Sequence, residues 1–297
     1  MLCLTSFPCV TRNSWTLHSS RNPRIFSRFA FDFPASCAIM DAPPTKGTAV
    51  FSPANTKLKK LYEFKPLAPY LNKRKVYSFD LLSGWCCPYA KDCKSKAVET
   101  DEGLRVQDGP HTLFRCYSAS QEAIYTNAYN KRKANWEAIR KLSTAKIVNL
   151  IESVVPKNMG VCRIHAAGDF INQRYFFAWC KIAERNPGIL FYAYTKCLPY
   201  WVAYGTDRVP LNLILTASRG GRADSMIEEH NLRSVKVVYS EAEAKRLGLE
   251  LDNDDSHASD PNKQYEDFAL LIHGIQPKGS EAAEALKVIN AAKKRKV

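Results

Sequence analysis

The sequence predicts an α/β fold built around a parallel sheet, because strand-like and helix-like segments alternate through its second half. Helix-length segments separate all of the predicted strands except the last two. Right-handed crossovers would make successive strands neighbours or near neighbours. Five such strands, with one or two more from the N-terminal part, favour a partial or irregular (β/α) barrel over a closed eightfold one. The five apolar segments cover residues 161–165, 190–194, 213–217, 235–239 and 269–272.

The segments between these strands carry helix-start signals. Asn172 precedes an apolar stripe at helical spacing, and Ser240 with Glu243 forms a capping box before another helix. Upstream of the alternating part, residue spacing predicts further elements of both kinds. These are a strand at 76–82 and helices at 120–141 and 143–154, the last of which ends before Pro156.

Composition divides the chain into four regions. Residues 1–39 are rich in Ser, Arg and Pro with Asp32 as their one acid, which fits a disordered or targeting-like segment, or an extension before a true start at Met40. With 297 residues, 45% of them hydrophobic, the chain is long enough to bury one substantial core. The other regions are an N-terminal part with a cysteine loop at 40–118, an α/β core at 119–280, and a C-terminal helix with a basic tail at 281–297.

Hydropathy and cysteine spacing indicate the compartment in which the protein is expected. No apolar run approaches the length needed to span a bilayer, so we expect no membrane partner. The ten cysteines are irregularly spaced and lie partly inside predicted strands and helices, which argues against a disulfide framework. A reducing, cytoplasmic location follows, unless residues 1–39 direct the chain to an organelle. The oligomeric state is left open.

The net charge of +14 suggests an anionic partner, either nucleic acid or another polyanion. A basic but merely solvated surface is the equal alternative. The basic run at residues 293–296 resembles a nuclear-import signal out of context. We favour a simpler interpretation, in which cations at the end of a helix complement its dipole.

Three cysteines in polar surroundings indicate a metal centre. Cys87 and Cys93 lie in the run Cys-Pro-Tyr-Ala-Lys-Asp-Cys, and a Gly- and Asp-containing stretch that predicts a loop separates them from Cys116. The spacing lacks paired Cys-x-x-Cys knuckles, so zinc is the weaker candidate. Iron–sulfur clusters normally take four Cys, and three would leave one iron open. Whether Cys86 also takes part is left open.

Polar and glycine-rich residues follow the predicted strands at their carboxyl ends, where parallel α/β folds gather their chemistry. His165 and Asp169 form a candidate acid/base or substrate-orienting pair. Lys196 and Arg219 are candidates for holding a carboxylate or phosphate. The candidate catalytic residues are therefore His165, Asp169 and Lys196.

The candidate cofactor-binding residues occupy the same strand ends. Two adjacent glycines, Gly220 and Gly221, would let backbone amides approach an anion closely. The full set comprises Gly168, Thr195, Ser218, Arg219, Gly220 and Gly221. A weaker metal candidate is the acidic run at 252–257, whose Asp, Asn and His side chains could ligate a hard divalent cation; such runs are more often turns.

Together these motifs resemble the phage gene product 88 family, itself similar to radical S-adenosylmethionine enzymes. The resemblance covers residues 61–279. It implies a partial (β/α) barrel, radical-S-adenosylmethionine-like, with a four-iron cluster on Cys87, Cys93 and Cys116 above the carboxyl rim. The compact cysteine spacing of typical radical enzymes is absent. The motifs are Cys87-Pro-x-Ala-x-x-Cys93, Cys116-Tyr-Ser-Ala, Arg163-x-His-x-x-Gly-Asp-Phe, Phe191-Tyr-Ala-Tyr-Thr-Lys and residues 212–218.

Three function classes follow from these observations. The leading one is an iron–sulfur enzyme, using S-adenosylmethionine by analogy, that acts on a nucleic acid, a nucleotide or another anionic small molecule. The second is a non-enzymatic nucleic-acid-binding protein with a structural zinc or iron–sulfur site. The third is a divalent-metal-dependent hydrolase or nuclease that uses residues 252–257 or His165 with Asp169.

Overall fold

The fold is a mixed α/β arrangement around one mostly parallel sheet, seen in a computed structural model that describes residues 49–295. The expectations for residues 1–39 and Met40 lie outside the described residues. The sheet has eight strands in the order β1-β2-β5-β6-β7-β8-β10-β9, and all neighbours are parallel except β1 and β2. The strands are β1 Ser52–Pro53, β2 Lys75–Phe79, β5 Met159–Ile164, β6 Leu190–Thr195, β7 Leu213–Ser218, β8 Ser234–Val238, β9 Glu250–Leu251 and β10 Phe268–Leu271.

Helices connect the parallel strands, and a separate hairpin interrupts the chain after β2. The hairpin pairs β3 (Ser95–Thr100) with β4 (Gly103–Asp108). Short 3-10 turns lie at Lys60–Glu63, Lys65–Leu67 and Thr206–Arg208. The helices are α1 Thr56–Lys59, α2 Ala68–Leu71, α3 Tyr117–Ile124, α4 Thr126–Ile139, α5 Thr144–Ser153, α6 Gln173–Arg185, α7 Leu198–Tyr204, α8 Ser225–Glu229, α9 Glu241–Arg246, α10 Ser256–Ser259 and α11 Glu281–Arg295.

The parallel strands are buried on both faces, so their residues divide between two cores. On one face, α6 contributes Trp179 and Phe176, which are fully buried with Phe191 of β6. On the other, which we call the leucine face, Leu58, Leu61 and Leu67 pack against the sheet. This double burial is why the strands read as continuous apolar runs rather than alternating ones.

The predicted strand–helix alternation is confirmed, and two local predictions are wrong. Residues 95–108, expected as a loop, form the β3–β4 hairpin. The prediction failed because the apolar pattern of these partly exposed strands is short and interrupted by charged residues. The single helix predicted at 120–141 is two helices, α3 and α4, which meet at Tyr125. Its backbone leaves the helical region there, with φ of −111° and ψ of 89°.

The predicted caps are confirmed. The Asn172 side chain accepts a hydrogen bond from the Tyr175 amide, and Ser240 accepts one from the Glu243 amide. The basic C-terminal run lies in α11 up to Arg295, as the helix-dipole interpretation requires. Among residues 49–295, no helix combines the length and apolar character that a membrane crossing needs.

Candidate functional site

The candidate site is built on the segment between β2 and α3, residues 80–116, which we call the cysteine segment. It starts at the carboxyl end of β2, where the Leu81 amide donates to the Ala167 carbonyl. Gly168 makes this approach close: at φ 84° its missing Cβ would lie 2.7 Å from the Leu81 Cβ. The glycine predicted to bind a cofactor therefore also seats the cysteine segment against the end of β5.

The three predicted metal-binding cysteines all lie in this segment and influence one another electrostatically. Burial raises the pKa of the Cys87 thiol, and the negative charges of Asp169, Cys116 and Cys93 add to that increase. Burial and Cys93 raise the pKa of Cys116 to about 11, while the Ala119 and Ser118 amides oppose the rise. All three are partly exposed and outside any disulfide. The cysteines thus form one electrostatically coupled group beside Asp169.

The hairpin explains how Cys116 reaches the other two. Its strands run antiparallel from Ser95 opposite Asp108, which returns the chain to its starting point. Beyond it, the Leu113 and Phe114 amides both donate to the Asp92 carbonyl, at 2.7 and 3.1 Å. The Cys116 amide then donates to the Ser95 hydroxyl at 3.3 Å. The 22-residue gap in sequence closes to a short distance in space.

A buried ion pair anchors the start of the segment. Glu122 of α3 is fully buried and bonds Arg132 of α4 at 2.9 Å. The same Glu122 oxygen accepts from the backbone amide and the hydroxyl of Ser83. Burial raises the pKa of Glu122, and Arg132 and Ser83 counteract that shift. Sequence analysis missed this residue, since its partners are 10 and 39 positions away.

The two adjacent glycines after β7 hold the cysteine segment rather than an open anion site. The Gly220 carbonyl accepts the Lys91 and Asp92 amides, and Gly221 forms a bridge with Ala90. The amides of both glycines, predicted to approach an anion, bond instead to the Asp224 carboxylate at 2.7 and 2.9 Å. The motif is real, and its role in the structure is to dock the loop that carries the cysteines.

Lys196 and Arg219 differ in their availability to an anion. Arg219 is neutralised by Glu228 at 2.7 Å. Lys196 is 6% exposed, and its ammonium donates to the carbonyl and hydroxyl of Ser218. Among the described residues, no carboxylate lies within ion-pair distance of the Lys196 ammonium. A third hydrogen bond runs from the Lys196 ammonium to the Arg219 carbonyl, so all three of its N–H donors have protein partners.

His165 and Asp169 have separate partners. The His165 Nε2 lies 2.9 Å from the Tyr175 hydroxyl, and burial together with Arg163 lowers its pKa to about 3, so the imidazole is neutral at pH 7. Asp169 accepts from the Thr195 hydroxyl at 2.7 Å and the Lys196 amide at 2.9 Å. Burial raises the pKa of Asp169. The predicted acid/base pairing is replaced by two independent hydrogen-bond groups at neighbouring strand ends.

The acidic run at 252–257 is occupied by the protein's own cations. Asp255 is fully buried and pairs with Lys57 at 2.7 Å and with Arg163 of β5. Burial alone would raise the pKa of Asp255, but Arg163 and Lys57 outweigh it and lower the pKa. Sequence analysis missed Arg163 here, although a charged residue inside an apolar strand was a usable signal.

A cavity of about 390 Å³ opens beside the cysteine segment. Asp92 and Phe114 line it from that segment. Gly220 lines it from the loop after β7, residues 219–221, which we call the docking loop. Tyr239 and Arg246 line it from the region of α9. As the side chains stand, no group of three or more His, Cys, Asp or Glu within residues 49–295 could hold a metal ion.

Comparison with known proteins identifies the family. Residues 49–293 match the family described as Gene product 88. A similar relative is the Gene 88 protein of Mycobacterium phage L5, which is 29% identical over 90 residues, covering 27% of this chain and 38% of the phage protein. The chain thus matches less than two fifths of that relative's length, and no solved structure matches it. The chain belongs to the Gene product 88 family.

Proposed function

We propose that this protein is an iron–sulfur enzyme in which Cys87, Cys93 and Cys116 hold a four-iron cluster. One observation supports the proposal: three thiols, separated by up to 29 positions, lie in the segment that follows β2 and act electrostatically on one another. Their side chains would have to turn toward a common point to bind the cluster, because they form no metal-binding group as they stand. Thiolates so placed repel each other, and a bound cationic cluster would relieve that repulsion. The three-thiol donor set therefore suits the chemistry of an iron–sulfur cluster.

The order of the strands supports a radical-S-adenosylmethionine-like partial barrel. Six parallel strands, β2, β5, β6, β7, β8 and β10, are neighbours in the order in which the chain makes them. The cysteine segment follows the first of them and lies at its carboxyl end. Within the described residues the sheet is open, ending at β1 and β9, so the proposed barrel is incomplete.

The cluster would supply electron transfer and one open iron position for a ligand. The chain's own residues would orient what binds there. Lys196 would hold an anionic group by exchanging one of its three neutral oxygen partners for the anion, since no carboxylate neutralises its charge. Asp169 fixes the backbone at Lys196, and neutral His165 braces the end of β5 through Tyr175.

The proposed substrate is a nucleic acid, a nucleotide or another anionic small molecule, with S-adenosylmethionine as the proposed second cofactor. Gly168, Thr195 and Ser218 would line its pocket, with the docking loop at Arg219, Gly220 and Gly221 beside it. Free thiols of this kind suit a reducing compartment such as the cytoplasm. The hydrolase alternative at residues 252–257 is disfavoured physically, because Asp255 is already neutralised.

Metal content tests the proposal. We expect the full chain, purified without oxygen, to be brown and to contain about four iron and four sulfide per chain. The variant Cys87→Ala/Cys93→Ala/Cys116→Ala should lose the iron, while Cys180→Ala, which changes a buried thiol in α6, should keep it. A colourless protein with one zinc would establish the structural-zinc alternative instead. If the reduced, iron-containing protein forms no deoxyadenosine from S-adenosylmethionine, the radical mechanism is excluded while the proposed cluster is retained.

A further inference from the structure

Residues 57–75 form a segment with a strong local excess of positive charge, which we call the basic segment. It holds seven Lys or Arg against a single acid, Glu63, and so contributes a net charge of +6 to the chain's +14. Six of the fourteen net positive charges therefore lie in 19 of the 297 residues. A concentration of this kind marks a surface for a polyanion more strongly than the overall charge does.

The fold separates the leucines of this segment from its lysines. Leu58, Leu61 and Leu67 are completely buried on the leucine face of the sheet and fix the segment in place. No carboxylate among residues 49–295 lies within ion-pair distance of the exposed lysine ammonium groups of the segment. The exposed lysines are Lys59, Lys60, Lys65, Lys73 and Lys75.

The last residues of the basic segment, 73–75, lie at the opposite end of the sheet from the candidate site. Lys75 is the first residue of β2, and its amide donates to the Asn158 carbonyl just before β5. Arg74 donates to the Gly188 carbonyl just before β6. The exposed Lys157 extends the surface along this edge. This part of the segment therefore lies at the amino ends of the strands, whereas Lys57 at its start pairs with Asp255.

We propose that the basic segment binds nucleic acid through its phosphate backbone. Several fixed, unpaired ammonium groups suit a ligand that repeats a negative charge at short intervals. An anionic membrane fits less well, because α1 and α2 have four residues each and form no amphipathic helix that could lie in the interface. Tyr62 is the segment's one exposed large apolar residue. This inference does not depend on the cluster.

Binding of the full chain to a fluorescent 25-nucleotide DNA, single-stranded and duplex, tests it. Five phosphate contacts predict that affinity for the duplex falls roughly 500-fold between 50 and 200 mM salt, with a log–log slope near −4.5. Changing Lys59, Lys60, Lys65, Lys73 and Lys75 to Gln should weaken binding at 50 mM salt by at least about 100-fold and remove most of that slope.

The matched control changes five exposed lysines elsewhere to Gln, with the same loss of charge: Lys141, Lys146, Lys181, Lys245 and Lys278. We expect a loss below about 5-fold for it. Equal losses in the two variants would overturn the proposal, as would phosphatidylserine vesicles that bind more tightly than DNA and depend on the same lysines. Iron content and DNA affinity are measured separately, so a chain without iron that still binds DNA through these lysines would contradict the iron–sulfur proposal alone.

Discussion

The cysteine segment and the acidic run at 252–257 both offer metal-ligating side chains in sequence, yet the fold treats them in opposite ways. Asp255 has two cations beside it, the buried Arg163 and the partly exposed Lys57, which lower its pKa. Burial raises the pKa of the Cys87 and Cys116 thiols, and neighbouring acidic groups add to the rise while Lys94 opposes it at Cys87. The comparison teaches that two sets of ligand-type side chains can differ in whether the fold supplies their counter-charge.

The largest expected effect comes from removing the acid that neutralises the first region. Asp255→Ala should lower the free energy of unfolding by about 3–5 kcal/mol, because it leaves the buried Arg163 without its counter-charge. Urea unfolding measures this, with Asp254→Asn in the same run as the control. In metal-free protein the triple cysteine variant should cost less than about 1 kcal/mol. A larger loss from the cysteines than from Asp255 would reverse the comparison.

The stability of the fold should depend on pH through His165, whose pKa is lowered by burial and by the charge of Arg163. That pKa is about 3 in the folded protein and about 6.5 when unfolded, so the unfolded state binds more protons between these values. Stability is therefore lost as pH falls, by about 3 kcal/mol between pH 6.5 and pH 4. The variant His165→Gln should lack this component in urea unfolding at each pH. A parallel pH dependence in both proteins would contradict the burial argument.

Glu122 of α3 holds the start of the cysteine segment through its hydrogen bonds to Ser83. Glu122→Gln should cost about 2–3 kcal/mol, because Arg132 then keeps a buried charge without its partner. The freed Ser83 end of the segment should also reduce the iron bound per chain. Glu137→Gln in α4 provides the control and should stay within about 0.5 kcal/mol. Full iron content in Glu122→Gln would show that Ser83 needs no such anchor.

Gly220 tests the docking loop on a smaller scale. Its φ is 89°, and an added Cβ would lie 2.9 Å from an Asp92 carboxylate oxygen. Gly220→Ala should cost about 2 kcal/mol, against about 1 kcal/mol for Gly248→Ala, where φ is 69° and the space is open. The difference between the two isolates the contact with the cysteine segment. Equal costs would mean that the loop adapts freely.

The smallest effect is expected from hard cations. Since Asp255 is already paired, 1 mM Mg²⁺ or Ca²⁺ should change the Tm of metal-free protein by less than about 1 °C. A site with a Kd of about 10 μM would instead stabilise the fold by about 2.7 kcal/mol, a shift of several degrees. A rise of that size that Asp252→Asn abolishes would restore the acidic run as a metal site.

Local and periodic features of the fold could be predicted from the sequence. The strands after residue 158 are apolar runs of buried length, and Asn172 and Ser240 announce their helices within three residues. The hairpin could not be predicted from apolar pattern, because its strands are largely solvent-facing and carry Lys96, Glu99 and Arg105. Its Gly103, at φ 100°, was the available turn signal.

The ion pairs between residues far apart in the chain could not be predicted from the sequence. Arg163 and Asp255 are 92 positions apart, and Lys57 lies farther still, so nothing local marks them as partners. The approach of Gly220 to Lys91 and Asp92 likewise spans more than 120 positions. The rule that active-site residues follow the carboxyl ends of parallel strands predicted that the strand-end residues lie on one edge of the sheet. It could not predict which of them bond to other parts of the protein.

The hairpin between Cys93 and Cys116 has a consequence for how this family could diversify. The positions of both cysteines depend on its base, where Asp92, Ser95 and Asp108 meet, and not on its tip at Thr100–Gly103, where residues 101–103 are exposed. The turn is therefore a permissive insertion point, at which a peptide tag or a whole domain could be added without moving the thiols. We therefore expect that the spacing between Cys93 and Cys116 can change with little effect on where either cysteine lies.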